Sequence, residues 1–307
     1  MVTVHLDVPG FGVSHNVRIG NEHLELILST DFGPRVLACA PRGGDNLFGV
    51  VPPSEQAKPT IYGEPWHIYG GHRLWRAPEH AETTYVPDNN PVDVTREPRG
   101  VVLTRRAGPN EDGLEKSLRV TLQDDAPRAR VEHRLTNRSE ATMPVAVWAL
   151  TVMKQGGQAI LPNAAHVPHP VGLLPVRPLV LWPYSWLGDP RFTFGRRYLR
   201  VRHDPAAREP QKIGLFNERG WAAYATGSAL FVKRFPGQPG RYADLGCNNE
   251  VFVDGVILEL ESLGPLVDLD PGATISHEET WHVFTGVRVP DDDEAAAAVL
   301  EPLLAAG

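Results

Sequence analysis

Cysteine is nearly absent. Cys39 and Cys247 are the only two in 307 residues, which excludes a disulfide framework. No apolar run approaches the ~20 residues needed to cross a bilayer, so no membrane association is expected. The opening MVTVHLDVPG has no basic start followed by an apolar stretch. No signal peptide is therefore expected, and the expected location is the cytoplasm. An excess of positive charge is also missing: 30 Lys and Arg stand against 37 Asp and Glu, a formal net charge of −7. Nucleic acid wants a basic face, so none is expected as a partner. The one basic run, Arg196, Arg197, Arg200 and Arg202, reads as a solvated loop or strand. There is no GxxxxGK[ST] loop, no strand–GxGxxG–helix unit and no GxSxG elbow. ATP, NAD and serine-hydrolase chemistry are excluded with them, and no cofactor is expected.

Turn-forming residues are abundant. The chain has 29 glycines and 29 prolines, well above the combined average of roughly 12%, and they are spread along its length. Many short strands joined by many turns account for this. Period-two or continuous apolar segments predict strands at Glu22–Leu28, Arg35–Ala40, Val92–Glu97, Val101–Arg106, Leu114–Leu122 and Arg130–Thr136. Pro144–Met153 is nearly all apolar and reads as a strand covered on both faces. Further strands are expected at Trp221–Ala225, Ala229–Phe235, Glu250–Val253, Val256–Ser262 and His277–Phe284. Arg42–Pro65 is expected to be a long irregular surface loop, and residues 155–195, rich in Pro, Trp and Gly, a candidate cleft wall. Asp291–Ala306 is acidic first and then Ala- and Leu-rich, which predicts one terminal helix. No repeat and no linker-like shift in composition is present. The expectation is an all-β protein, a large antiparallel β-sandwich with a short C-terminal helix, forming one domain over residues 1–307.

Three segments could carry chemistry. In VILELES, Val256–Ser262, the pleat puts Ile257, Glu259 and Glu261 on one face and Val256, Leu258 and Leu260 on the other. The two carboxylates then lie about 7 Å apart along the strand. If that face lines a cleft, burial and mutual repulsion raise at least one pKa, which suits proton transfer. The same alternation also describes a half-buried strand whose glutamates face water. In YGGHRLWRAPEH, Tyr69–His80, a Gly-Gly pair precedes His72, Arg73, Trp75, Arg76 and Glu79. Trp75 could stack on a sugar ring and Arg73 could donate paired hydrogen bonds; a structured loop with Arg–Glu pairing fits equally. In HEETWH, His277, Glu279 and Trp281 share a face. Histidine and carboxylate both ligate zinc, but no second cluster has metal spacing, and no metal is expected.

Taken in order, these segments resemble the galactose mutarotase-like (aldose 1-epimerase-like) superfamily. Aldose 1-epimerases carry a G-x-x-L-E-x-Q strand, then L-x-P-G and a closing strand. Here Gly255, Leu258, Glu259 and Glu261 are followed by Leu269, Pro271 and Gly272, then Glu279–Phe284. A largely uncharacterised bacterial branch is closer. It shows GG-x-R-x-W-x-x-PE, here Gly70–Glu79; a K-x-G…GW…Y…F-x-K-R-F stretch, here Lys212–Phe235; and G-C-x-x-E, here Gly246–Glu250, a segment that includes Asn248. The resemblance spans roughly residues 20–285 and implies the supersandwich fold and a carbohydrate or sugar-like small-molecule substrate. It implies epimerase- or mutarotase-type proton transfer, with Glu259 as base. His72 is the candidate acid, because the stretch where epimerases carry a catalytic histidine, here Met143–Lys154, contains none. Arg73, Trp75, Glu79, Glu261, Lys212, Arg35, Asn248 and Glu250 are the expected substrate-binding residues, Lys212 or Arg35 neutralising an acidic substrate group. A non-catalytic carbohydrate-binding module and an isomerase or cyclase of small-molecule biosynthesis are the alternatives. Oligomeric state stays open, since an exposed sheet edge can pair or be covered.

Overall fold

Side chains alternate across each strand, and in this chain both faces of the central strands are apolar. The computed structural model, which describes residues 1–108 and 111–305, resolves that ambiguity by stacking two antiparallel sheets and leaving a concave outer face on one of them. Among the described residues the first sheet has eleven strands. Its central members, in spatial order, are Arg35–Pro41, His72–Ala77, Met143–Val152, Leu258–Leu263, Asn249–Val253 and Gln211–Leu215. The second sheet has ten, with Ala229–Arg234, Thr274–Thr285, Arg128–Asn137 and Leu114–Leu122 adjacent in that order. The main core lies between the sheets, where Leu26, Leu74, Val147, Leu258 and Leu260 of the first meet Leu118, Val131, Phe231 and Trp281 of the second. A separate apolar cluster, with Trp66, Trp75, Trp148, Leu150 and Ile257, covers the outer face of the first sheet.

The all-β expectation holds, and most strands fall within two residues of their expected bounds. Met143–Val152 is buried on both faces along most of its length, as its continuous apolar run requires. Two expectations change, and one alternative is closed. The structured-loop alternative for Tyr69–His80 does not hold: His72–Ala77 is a buried strand paired with Met143–Val152 and Arg35–Pro41. The Arg42–Pro65 segment is not wholly superficial, because Leu47, Phe48 and Val51 are buried. The basic run is not all solvated either. Arg200 is buried and donates from Nη1 to Pro290 O at 2.7 Å. Arg197 bonds Glu294 at 2.8 Å and Glu301 at 3.0 Å, fastening the terminal helix Asp293–Ala305. Ala306 lies outside the described residues.

The Gly-Gly pair admits the His72–Ala77 strand to the sheet. Gly71 has φ of +68°, and a Cβ there would meet Val36 O at 2.2 Å. Gly71→Ala is expected to lose stability by about 1–3 kcal/mol from backbone strain alone, and more from the clash, read as a lower denaturant midpoint with an unchanged slope.

Candidate functional site

The outer face of the first sheet carries a cavity of about 740 Å³. Its floor is a set of cross-strand rows. Leu150 stands opposite both Arg73 and Glu261, and Glu261 opposite Glu250. In the next row Glu259 stands between Val152 and Phe252, and Phe252 opposite Lys212. Glu259, Glu261 and Ile257 line the cavity, while Leu258 and Leu260 turn into the core. The face assignment expected from alternation is therefore realised, and the carboxylates face the cavity.

Their surroundings differ. Glu259 accepts from Arg73 Nη1 at 2.5 Å, and the Arg73 guanidinium carbon lies 4.1 Å from the Trp75 ring centroid. Glu261 Oε2 accepts from Trp148 Nε1 at 2.8 Å and from Lys212 Nζ at 3.0 Å. Lys212 also pairs with Glu250 at 2.7 Å. Burial pushes the Glu261 carboxyl up; Lys212 opposes this, and Glu259 adds repulsion. Burial pushes Glu250 well above the usual range, with Glu261 repelling it. Burial alone would lower the Lys212 ammonium, but Glu250 and Glu261 outweigh it and hold it well above its usual value. One ammonium thus stands between two buried carboxylates, and burial favours the protonated form of each.

The expected site residues separate accordingly. Glu259, Glu261, Arg73, Trp75, Glu79 and Lys212 line the cavity, Glu79 at its exposed mouth bonded to Tyr85 at 2.5 Å. Lys212 is already neutralised by the two glutamates. Arg35 stands behind the wall, bonded to Asp88 at 2.8 Å and to Ile68 O, so neither cation is free for an acidic substrate. Glu250 reaches the cavity only through Lys212. Asn248 is structural: its Oδ1 accepts from Asn217 N and its Nδ2 donates to Asn217 O. Trp66, Trp148, Tyr85, Tyr184 and Phe252 also line the cavity and were not expected there. Tyr184 does come from the 155–195 segment, but in Pro144–Met153 both faces are apolar, and alternation cannot say which one faces a ligand.

His72 is the correction with most consequence. Adjacent strand residues point to opposite faces, so with Arg73 at the cavity His72 faces the core, fully buried. There it joins a polar cluster between the sheets. His133 Nδ1 donates to His277 O at 2.9 Å, leaving Nε2 to accept from His72 Nε2 at 2.7 Å. His72 Nδ1 then accepts from Thr151 Oγ1 at 2.8 Å. Ser262 donates to Glu279 at 2.6 Å and accepts from His277 Nε2 at 2.7 Å. Glu279 also takes Lys233 Nζ at 2.8 Å and Trp281 Nε1 at 2.7 Å. His72, His133 and Glu279 have metal-compatible proximity, but each is already bonded, the histidines to each other, Thr151 and His277 O, and the carboxylate to Ser262, Lys233 and Trp281.

These histidines make the fold acid-sensitive. Burial holds His72 and His133 below the usual value and His277 at about 3. The unfolded chain binds these protons near pH 6.5, so the stabilisation is complete above about 6.5 and is lost as pH falls toward the folded values. Burial would raise Glu279, but Lys233 holds it below the usual carboxylate range, adding loss below about 4.5. Glu250 and Glu261, raised, act in the opposite sense between about 4.5 and their folded values. Thermal melts are expected to show decreasing stability from about pH 6.5 downward, steepening below about 4.5.

No protein-family model matches the sequence, and no curated protein matches it. Solved structures do. A galactose mutarotase-like protein from Lactobacillus casei superposes with a TM-score of 0.56 at 10% identity, covering 88% of this chain and 100% of that one. This chain has the galactose mutarotase-like fold. A galactose mutarotase related enzyme from Lactobacillus acidophilus gives a TM-score of 0.52 at 10% identity over 89% of this chain and 98% of that one. A TPR-domain containing protein from Parabacteroides distasonis gives 0.60 at 14% identity over 91% of this chain; the chain spans 49% of that protein. The mutarotase-like architecture expected from the ordered motifs is thus present. No helix among the described residues is long and apolar enough to cross a membrane.

Proposed function

We propose that the protein opens and recloses a cyclic hemiacetal, interconverting its two anomers. The observation that carries this reading is the pair of carboxylates on one cavity-facing strand in unlike environments, Glu259 on Arg73 and Glu261 on Trp148 and Lys212. Two titratable groups with separated environments divide the roles of base and acid. Glu259 takes the proton of the anomeric hydroxyl. The carbonyl forms, and the bond from the anomeric carbon to the ring oxygen breaks with its electron pair going to that oxygen. The ring oxygen is protonated from Glu261, whose Oε1 is buried without a partner. Reclosure on the other carbonyl face runs the same transfers backwards, with no net redox change. Glu261 takes the part expected of His72, which is on the far side of the sheet.

The relatives named as mutarotase-like or mutarotase-related support a substrate of the sugar type, and the chain as one domain around this cavity. The test is proton NMR of freshly dissolved hemiacetals with catalytic amounts of protein. Accelerated anomer exchange that disappears in Glu259→Gln supports the reading; exchange that persists in the variant refutes it. A second reading, an isomerase or cyclase acting on another ring, is favoured by the apolar lining of the cavity.

A further inference from the structure

At the cavity floor the buried polar groups are committed to each other, while Glu55, Lys58, Thr60, Tyr184 and Asp254 also line the cavity but are exposed or half-buried. Arg73 bonds Glu259, Trp148 and Lys212 bond Glu261, and Tyr85 bonds Glu79. Three buried polar atoms on lining residues have no partner: Glu261 Oε1, Arg73 Nε and Trp66 Nε1. All three are on side chains at least nine-tenths buried. The rest of the inner wall is hydrocarbon and aromatic, with Val51, Ile68, Trp75, Leu150, Phe252 and Ile257. A free aldose carries a hydroxyl on nearly every carbon, and each one buried without a partner opposes binding. The volume of about 740 Å³ belongs to drug-sized ligands, whose pockets run about 300–1,000 Å³ and are mostly apolar with a few placed polar groups. It is several times the body of one hexose.

We propose that the cavity takes a ligand whose body is an apolar fused or aryl ring system, presenting only one cyclic hemiacetal edge to Glu259 and Glu261, in preference to a free aldose. The ring-opening part of this rests on the function proposed above; the preference for an apolar body does not. Glu259 and Glu261, which line the cavity, meet the two oxygens of such an edge. The aromatic walls cover the remainder, and removal of that apolar surface from water drives binding.

The experiment compares 2-hydroxychroman, an aryl-fused hemiacetal, with D-galactose by calorimetric titration and by NMR exchange. The expected result is at least about ten-fold tighter binding of 2-hydroxychroman, with its ring opening accelerated. Val256→Thr, isosteric at a partly exposed lining position, is expected to keep the melting temperature and weaken 2-hydroxychroman binding more than galactose binding. Galactose binding as tightly as 2-hydroxychroman, or neither binding at millimolar concentration, overturns the ligand class. Tight binding of 2-hydroxychroman without faster ring opening supports the ligand class and overturns the hemiacetal chemistry instead. Galactose exchange accelerated without any response to 2-hydroxychroman does the reverse.

Discussion

Glu259→Gln is expected to lower hemiacetal exchange by about 10²–10⁴-fold, the usual contribution of a positioned general base, and also to lower the melting temperature, because the buried Arg73 keeps an acceptor but loses its counter-charge. Glutamine keeps the size of the side chain and an oxygen that accepts from Arg73 Nη1, so the contact beneath Trp75 survives. What it loses is the ability to hold a proton. A purely structural Glu259, serving only to neutralise the buried guanidinium, predicts the stability loss alone, with exchange unchanged in the folded protein. Measuring exchange by NMR and stability by thermal melting on the same sample separates the two. Glu261→Gln provides the complementary check, because it removes the acid and the partner of Lys212 while preserving an acceptor for Trp148.

Lys233→Met is expected to destabilise the fold by about 3–5 kcal/mol, the cost of removing one partner from a buried ion pair. Lys233 and Glu279 are both fully buried, and the ammonium reaches Glu279 at 2.8 Å and Leu260 O at 3.0 Å across the gap between the sheets. Methionine fills comparable space but leaves the carboxylate without its cation. Ser262 and Trp281 donate to different oxygens of it, so Glu279→Gln added to Lys233→Met is expected to recover part of the loss: the amide carries no charge, and its oxygen keeps one of the two acceptor positions. Denaturant midpoints of the single and double variants measure the coupling. Cavity ligand binding is expected to persist in the double variant, because this cluster lies on the opposite side of the first sheet. Failure of the double variant to recover would show that the histidine network, and not the unbalanced charge, sets the cost.

Much of the architecture was legible because it depends on local periodicity. Leu114–Leu122 alternates strictly and forms a strand over those bounds. The acidic-to-apolar change after residue 290 forms the terminal helix. Alternation also determined that Glu259 and Glu261 share a face with Ile257, since a pleated backbone allows no other arrangement. The same rule bears on His72 and Arg73: neighbours on a strand cannot both reach one cavity. The Gly-Gly pair and the following Pro made that segment look like a loop, and only its pairing with Met143–Val152 and Arg35–Pro41 shows it to be a strand.

The order of the strands was beyond the sequence. Lys212 and Glu261 are 49 residues apart, Arg73 and Glu259 are 186 apart, and no local pattern encodes which strands become neighbours. Tertiary pairing converted Lys212 from a free cation into the counter-charge of two glutamates and put Arg35 behind the wall on Asp88. It also decided which apolar face of Met143–Val152 meets the second sheet and which, with Trp148 and Leu150, meets the cavity. The sequence by itself determined the strands, their faces and the adjacent carboxylates, because these follow from backbone geometry within a few residues. The tertiary structure alone decided which charges are spent on each other and how apolar the cavity is, because both depend on long-range packing.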